Sequence, residues 1–181
     1  MSLSQTEHPI AQQAESASGS TKPAWWRGTR GEWYLVAQEI LGILVFLGPR
    51  TYPGWPAWPS FMIQFASVSA KPILIAGTVL FVAGIISLGK NLTPLPLPKQ
   101  NAILVETGIY RFVRHPIYGG LILIMFGVAL NVHGWLTLLY VLLLCIGYEL
   151  KSRKEEEWLQ ERFPGYATYK RRVARFIPFI Y

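Results

Sequence analysis

Four apolar blocks, separated by polar or proline-rich stretches, organise the chain. The first, residues 33–48, is interrupted by Gln38 and Glu39 and ends at Pro49, which makes it the weakest candidate to cross a bilayer. Residues 51–60 (TYPGWPAWPS) hold three prolines and two tryptophans. Proline at that density breaks helices and tryptophan favours the headgroup level, so this stretch reads as an interfacial connector. Residues 61–69 are too few to span alone. The second block, residues 72–89, opens on Pro72, which the pattern predicts at a helix start. Its helix would rise about 27 Å, close to the thickness of a hydrocarbon core. Gly77 and Gly84 fall on one face and would let another helix approach closely. The third block, 117–130, and the fourth, 135–150, are joined by residues 131–134, which allow only a tight helical hairpin. No internal repeat is visible.

The polar stretches divide the remainder. Residues 1–24 have few large apolar side chains, no basic start and no apolar core, so they read as a disordered polar tail and not a secretory signal. Trp25 and Trp26 with Arg27 and Arg30 mark an interface anchor. Residues 25–71 then comprise that anchor, a first transmembrane helix and the connector, and residues 72–181 form the core. Within 90–116, Pro94, Pro96 and Pro98 impose an extended run. The expected fold class is an all-α integral membrane protein with about four transmembrane helices.

Charge fixes the expected orientation. Of 17 Lys and Arg, all but Arg50 and Lys71 lie in the N-terminal segment, the 90–116 loop or the tail from Lys151. Four spans put those three segments on one side, and the positive-inside rule makes that side cytoplasmic, both termini included. The net charge of +7 therefore belongs to a membrane surface and not to nucleic acid. All ten acids are glutamate, and Cys145 is the only cysteine, which excludes a disulfide framework.

Two cytoplasmic segments carry unusual side chains. In Gly108–Gly120, basic and aromatic residues cluster at a helix start. Two readings fit: Pro116 in the first turn with Arg114 on lipid phosphates, or a mouth that binds an anionic, aromatic-bearing ligand. In 149–158, Lys151 and Glu155 share a helix face. Glu155, Glu156 and Glu157 beneath an anionic membrane surface call for a nearby cation: Arg114, Lys151, or a ligand's ammonium or sulfonium. A solvated, ion-paired helix exit is the other reading. His133 is expected to be exposed in the outer turn and Cys145 to be a packing residue. Glu39 is either a functional group within the membrane or a residue near its surface. No metal-spaced Cys/His pair, Gly-rich phosphate loop or serine elbow occurs.

LVETGIYRFVRHPIYGG (104–120), a hydrophobic hairpin and KSRKEEEWLQERFPGYATYKRRVARFIP (151–178) together resemble the isoprenylcysteine carboxyl methyltransferase family. The wider superfamily includes the integral-membrane phospholipid methyltransferases. The resemblance covers roughly residues 72–181. It implies an enzyme that uses S-adenosyl-L-methionine, in a cytoplasmic site built from the loop before the third helix and the C-terminal tail. Ala102, Ile103, Leu104, Val105, Gly108, Tyr110, His115, Pro116, Ile117 and Tyr118 would wrap that cofactor, with Glu155 and Glu156 against it. Lys151, Glu155 and Arg114 would serve the reaction. Lys151 stands where better-known members have a substrate-holding Arg, and lysine lacks the bidentate fork. The implied acceptor is a lipid or lipid-modified molecule in the bilayer, methylated on a carboxylate. The alternatives are a phospholipid N-methyltransferase and a non-catalytic scaffold. No metal is implied.

Overall fold

A computed structural model describes residues 32–92 and 103–176. The tail, the Trp25–Trp26 anchor, the Pro94–Pro98 run, Ala102 and the closing Ile177 and Pro178 lie outside these residues. The described residues are helical: α1 (Glu32–Leu47), α2 (Ser60–Leu88), α3 (Pro116–Val132), α4 (Trp135–Arg162) and α5 (Tyr166–Arg172), with short 3-10 turns at Gly89–Asn91 and Gly108–Arg111. Extended pairing among them is limited to one isolated bridge, Val113 to Ala174.

One expectation fails. Pro72 does not start a helix; it lies inside α2, which begins at Ser60 behind Pro59. Residues 61–69, judged too short to span, are the first turns of that helix. Pro72 removes one N–H, so the Val68 carbonyl loses its partner four residues on. Breaking the helix would expose many more backbone groups to lipid, where each is costly, so the chain tolerates the single loss. Ser67 and Ser69 turn their hydroxyls onto the carbonyls of Gln64 (2.8 Å) and Phe65 (2.6 Å), which hides their polarity within the helix.

α2 and α4 are long and apolar enough to cross a membrane, and α1 and α3 are shorter apolar helices. The outer face of α2 (Val68, Ile75, Val79, Ile86) is exposed and apolar, as lipid contact requires. Its inner face closes on α3. A Cβ on Gly77 would stand 2.8 Å from Ile124 N, and one on Gly120 2.6 Å from Phe81 N, so the two backbones touch. The predicted glycine face is thus the seam of α2 and α3. Val45, Ala129, Val141, Leu144 and Tyr148 form a core among α1, α3 and α4, and Trp58, Ala66, Ala70 and Leu130 form one toward the opposite end. The α3–α4 hairpin turns at His133, which is exposed with φ 50°.

The N-terminal half of α1, the C-terminal end of α2, the N-terminal half of α3 and the later turns of α4 all face one cavity. Four helices reach it together because they alternate in direction. The apolar part of α4 ends at Leu150, and its charged turns continue beyond it.

Candidate functional site

The loop 103–115 reaches the cavity through local geometry. Gly108 has φ 61°, and a Cβ there would stand 2.5 Å from Ser87 Oγ, so the turn needs glycine for conformation and for space. Tyr110 follows in the 3-10 turn, its carbonyl accepting from the Tyr169 hydroxyl at 2.7 Å. The tail runs beside the loop. Arg114 N donates to Ala174 O (2.9 Å) and His115 N to Arg175 O (3.0 Å).

An ion cluster secures this arrangement. Glu156 is 1% exposed. Its carboxylate meets Arg114 Nε (3.0 Å), His115 Nε2 (3.2 Å), Lys170 Nζ (3.0 Å) and Arg175 Nε (3.2 Å). Burial pushes the Glu156 carboxyl up. The hydrogen bond and charge of His115, with Lys170 and Arg114, overcome that and hold it well below the usual carboxylate range. Arg114 also donates to the carbonyls of Lys170 (2.8 Å) and Val173, and Arg175 to Glu149. The cation demanded by the glutamate run is therefore supplied by the protein, from three separate segments.

Glu155, the preceding residue, faces the cavity. Its Oε2 accepts from the Tyr118 hydroxyl at 2.9 Å and stands 3.7 Å from His115 Nδ1. Enclosure pushes this carboxyl up, against the pull of His115, Tyr118 and Lys151. Tyr118 stacks between His115 (5.4 Å, interplanar 5°) and Tyr148 (5.1 Å). Lys151 Nζ lies 4.9 Å over the Tyr118 ring and donates to Gln38 Oε1 at 3.2 Å. Burial pulls its ammonium pKa down, while Glu155 and Glu39 pull it back up. Tyr118 thus touches both Lys151 and Glu155.

The cavity measures about 560 Å³, within the range of cofactor sites. Of the residues expected at the site, Ile103, Leu104, Val105, Tyr110, Arg114, His115, Ile117, Tyr118, Lys151 and Glu155 line it. Gly108 and Pro116 shape the loop from behind. Glu156 is turned into the ion cluster, and Ala102 lies outside the described residues. Arg114 borders the cavity, but its bonds to Glu156 and two carbonyls make it a strut for the tail. Sequence reasoning gave no role to Gln38, Tyr148, Tyr166 and Tyr169, which also line the cavity. The available signal for Gln38 was its polarity inside an apolar block.

The lining fits a cationic cofactor that carries an aromatic base. Glu155 offers a carboxylate, and the rings of Tyr110, Tyr118, Tyr166 and Tyr169 offer stacking and cation–π faces. Burial pushes the Tyr110, Tyr166 and Tyr169 hydroxyls up, so all three stay neutral phenols. Tyr166 is 1% exposed, and its hydroxyl has no hydrogen-bond partner among the described residues. A ligand group would satisfy it.

A family model described as phospholipid methyltransferase matches residues 65–165, more than half of the chain. The protein-S-isoprenylcysteine O-methyltransferase of Schizosaccharomyces pombe is 30% identical over 131 residues, covering 68% of this chain and 56% of that protein. The cobalt-zinc-cadmium resistance protein CzcN of Cupriavidus metallidurans is 26% identical over 149 residues, covering 82% of this chain and 62% of that one. A solved structure of the eukaryotic intramembrane Ras methyltransferase ICMT (isoprenylcysteine carboxyl methyltransferase) is similar in fold, with TM-score 0.59 and 22% identity, over 94% of this chain and 59% of that one. The chain spans less than two thirds of the length of each of these proteins.

Proposed function

The chain belongs to the phospholipid methyltransferase family, and from that premise we propose that it methylates a lipid-linked carboxylate of the isoprenylcysteine type. One observation carries the reading: Lys151 and Glu155, a cation and an anion, line one cavity and both touch Tyr118. Each suits one reactant.

S-adenosylmethionine, when bound, supplies a methyl group activated on cationic sulfur. Glu155, Tyr118, Tyr110, Tyr166, Tyr169 and the backbone of 103–105 would hold it. Lys151 orients the acceptor carboxylate, which is already ionised near neutral pH and needs no base. The rate then comes from alignment and from keeping water out, which the apolar lining of Phe81, Ile117, Leu121 and Met125 favours. The cavity stands where the bilayer meets the charged end of the bundle, so a soluble cofactor and a lipid-borne acceptor each reach it from their own phase. We place both termini and this site on the cytoplasmic side, with four spans, because the basic residues gather there. A probe at His133 should label from outside the cell and one at Gln160 should not.

The decisive test is radiolabelled methyl transfer from S-adenosylmethionine to a membrane extract. Base-labile label on a lipid-linked product supports an ester. Base-stable label would instead mean an amine acceptor, as for a phospholipid N-methyltransferase.

A further inference from the structure

α1 lies outside the family match yet supplies a wall of the cavity. Gln38, on that wall, is 8% exposed. Its Oε1 accepts from Lys151 Nζ. An ammonium has only donors, so the amide must turn its oxygen toward Lys151 and its nitrogen away. That nitrogen, Nε2, is buried and has no hydrogen-bond partner among the described residues. A buried donor left unmade is costly and calls for a ligand.

Lys151 and Gln38 touch at 3.2 Å and both line the cavity, so they bring a positive charge and a second N–H donor to the same wall of it. A planar carboxylate takes this pair as it takes the two arms of a guanidinium. Glu39, the next residue, lines the same cavity and opposes an anion placed beside it, so the two donors decide where an anionic head rests. A protonated amine would be repelled by the donors of Lys151 and Nε2 and drawn instead toward Glu39.

We propose that Gln38 binds the acceptor: its Nε2 donates to one carboxylate oxygen while Lys151 holds the other. The proposal rests on the carboxylate reading above and adds a residue that reads the acceptor from outside the matched segment. It makes α1 an element that favours a carboxylate over a protonated amine at this point of the acceptor.

The test uses the full chain in detergent or nanodiscs, with S-adenosylmethionine and N-acetyl-S-farnesylcysteine as acceptor. Gln38→Glu keeps an oxygen for Lys151 but removes the donor and adds a negative charge. We expect its KM for the acceptor to rise about ten- to a hundredfold, with cofactor affinity by calorimetry unchanged. Gln38→Leu should move KM the same way, and the double variant Gln38→Leu with Lys151→Arg should recover it, because Arg supplies both donors. A wild-type KM in Gln38→Glu overturns the assignment, since Gln38 would then only position Lys151. Should Gln38→Leu fail to fold, Gln38→Glu still decides. If the wild-type chain binds S-adenosylmethionine but methylates no carboxylate acceptor, the acceptor class and this assignment fall together. Transfer with an unchanged KM in Gln38→Glu removes the assignment alone.

Discussion

Glu155 and Glu156 are neighbours in the chain and opposites in their surroundings. Glu156 is sealed behind the loop among Arg114, His115, Lys170 and Arg175, while Glu155 faces the cavity against Tyr118. Successive helical residues project about 100° apart, so a doublet of like side chains can serve two walls at once. One carboxylate holds the site together and the other lines its cavity. The first is matched by several cations of the protein at close range; the second accepts from the Tyr118 hydroxyl, with His115 3.7 Å away.

The comparison breaks most visibly at Glu156. Glu156→Gln leaves Arg114 and Lys170 without their anion and Arg175 held by Glu149, and removing one partner of a buried ion pair costs about 3–5 kcal/mol. Thermal unfolding in detergent should show that loss, together with release of the tail to protease. Glu155→Gln should leave the melting temperature nearly unchanged and weaken S-adenosylmethionine about ten- to a hundredfold, the scale of one charge-assisted hydrogen bond.

Acid sharpens the contrast. Glu155 has a raised pKa and accepts a proton first, so cofactor affinity should fall as pH drops through a point above the ordinary carboxylate value. Glu156 has a depressed pKa, so its stabilisation is present above the ordinary carboxylate value and is lost only as pH falls through its own lower one. Calorimetry of binding and a melting series across mildly acidic pH should therefore diverge. Glu155→Gln should flatten the binding curve alone. A smaller effect is expected at Glu39. With its carboxylate gone, Glu39→Gln should lower the acceptor KM a few-fold, since a like charge in the same cavity is removed.

The sequence reveals the wall of the cavity built by the loop and the end of α4 far better than the wall built by α1. Arg114, His115, Pro116 and Tyr118, with Glu155, sit in compact motifs that carry the resemblance to the isoprenylcysteine methyltransferases, and the relative from Schizosaccharomyces pombe bears out that resemblance at the level of the family. The helical, membrane-embedded character follows from the apolar blocks. Gln38 was legible only as a flaw in a hydrophobic stretch, because its contact with Lys151 bridges 113 positions. Glu155 was legible through the resemblance, which gave it a part in the reaction; that Glu156 turns away into the ion cluster was hidden, since that depends on the rotation of α4 against the tail. Pro72 misled for a third reason: proline's preference for helix starts is a local rule, and lipid overrides it.

The glycine seam has a consequence for how the site is located. Gly84 rests against Ile117 and Pro116, and Ser87, three residues on, meets Gly108. The loop between Gly108 and Pro116 is thus gauged at both ends from one short edge of α2, as machined parts are measured from a datum face. Inserting a single residue between Gly77 and Gly84 would leave the block as apolar as before. It would also turn everything beyond by about 100° and shift it by about 1.5 Å. The loop would lose both reference points at once, so this edge should accept changes of side-chain chemistry at its lipid face and none in its length.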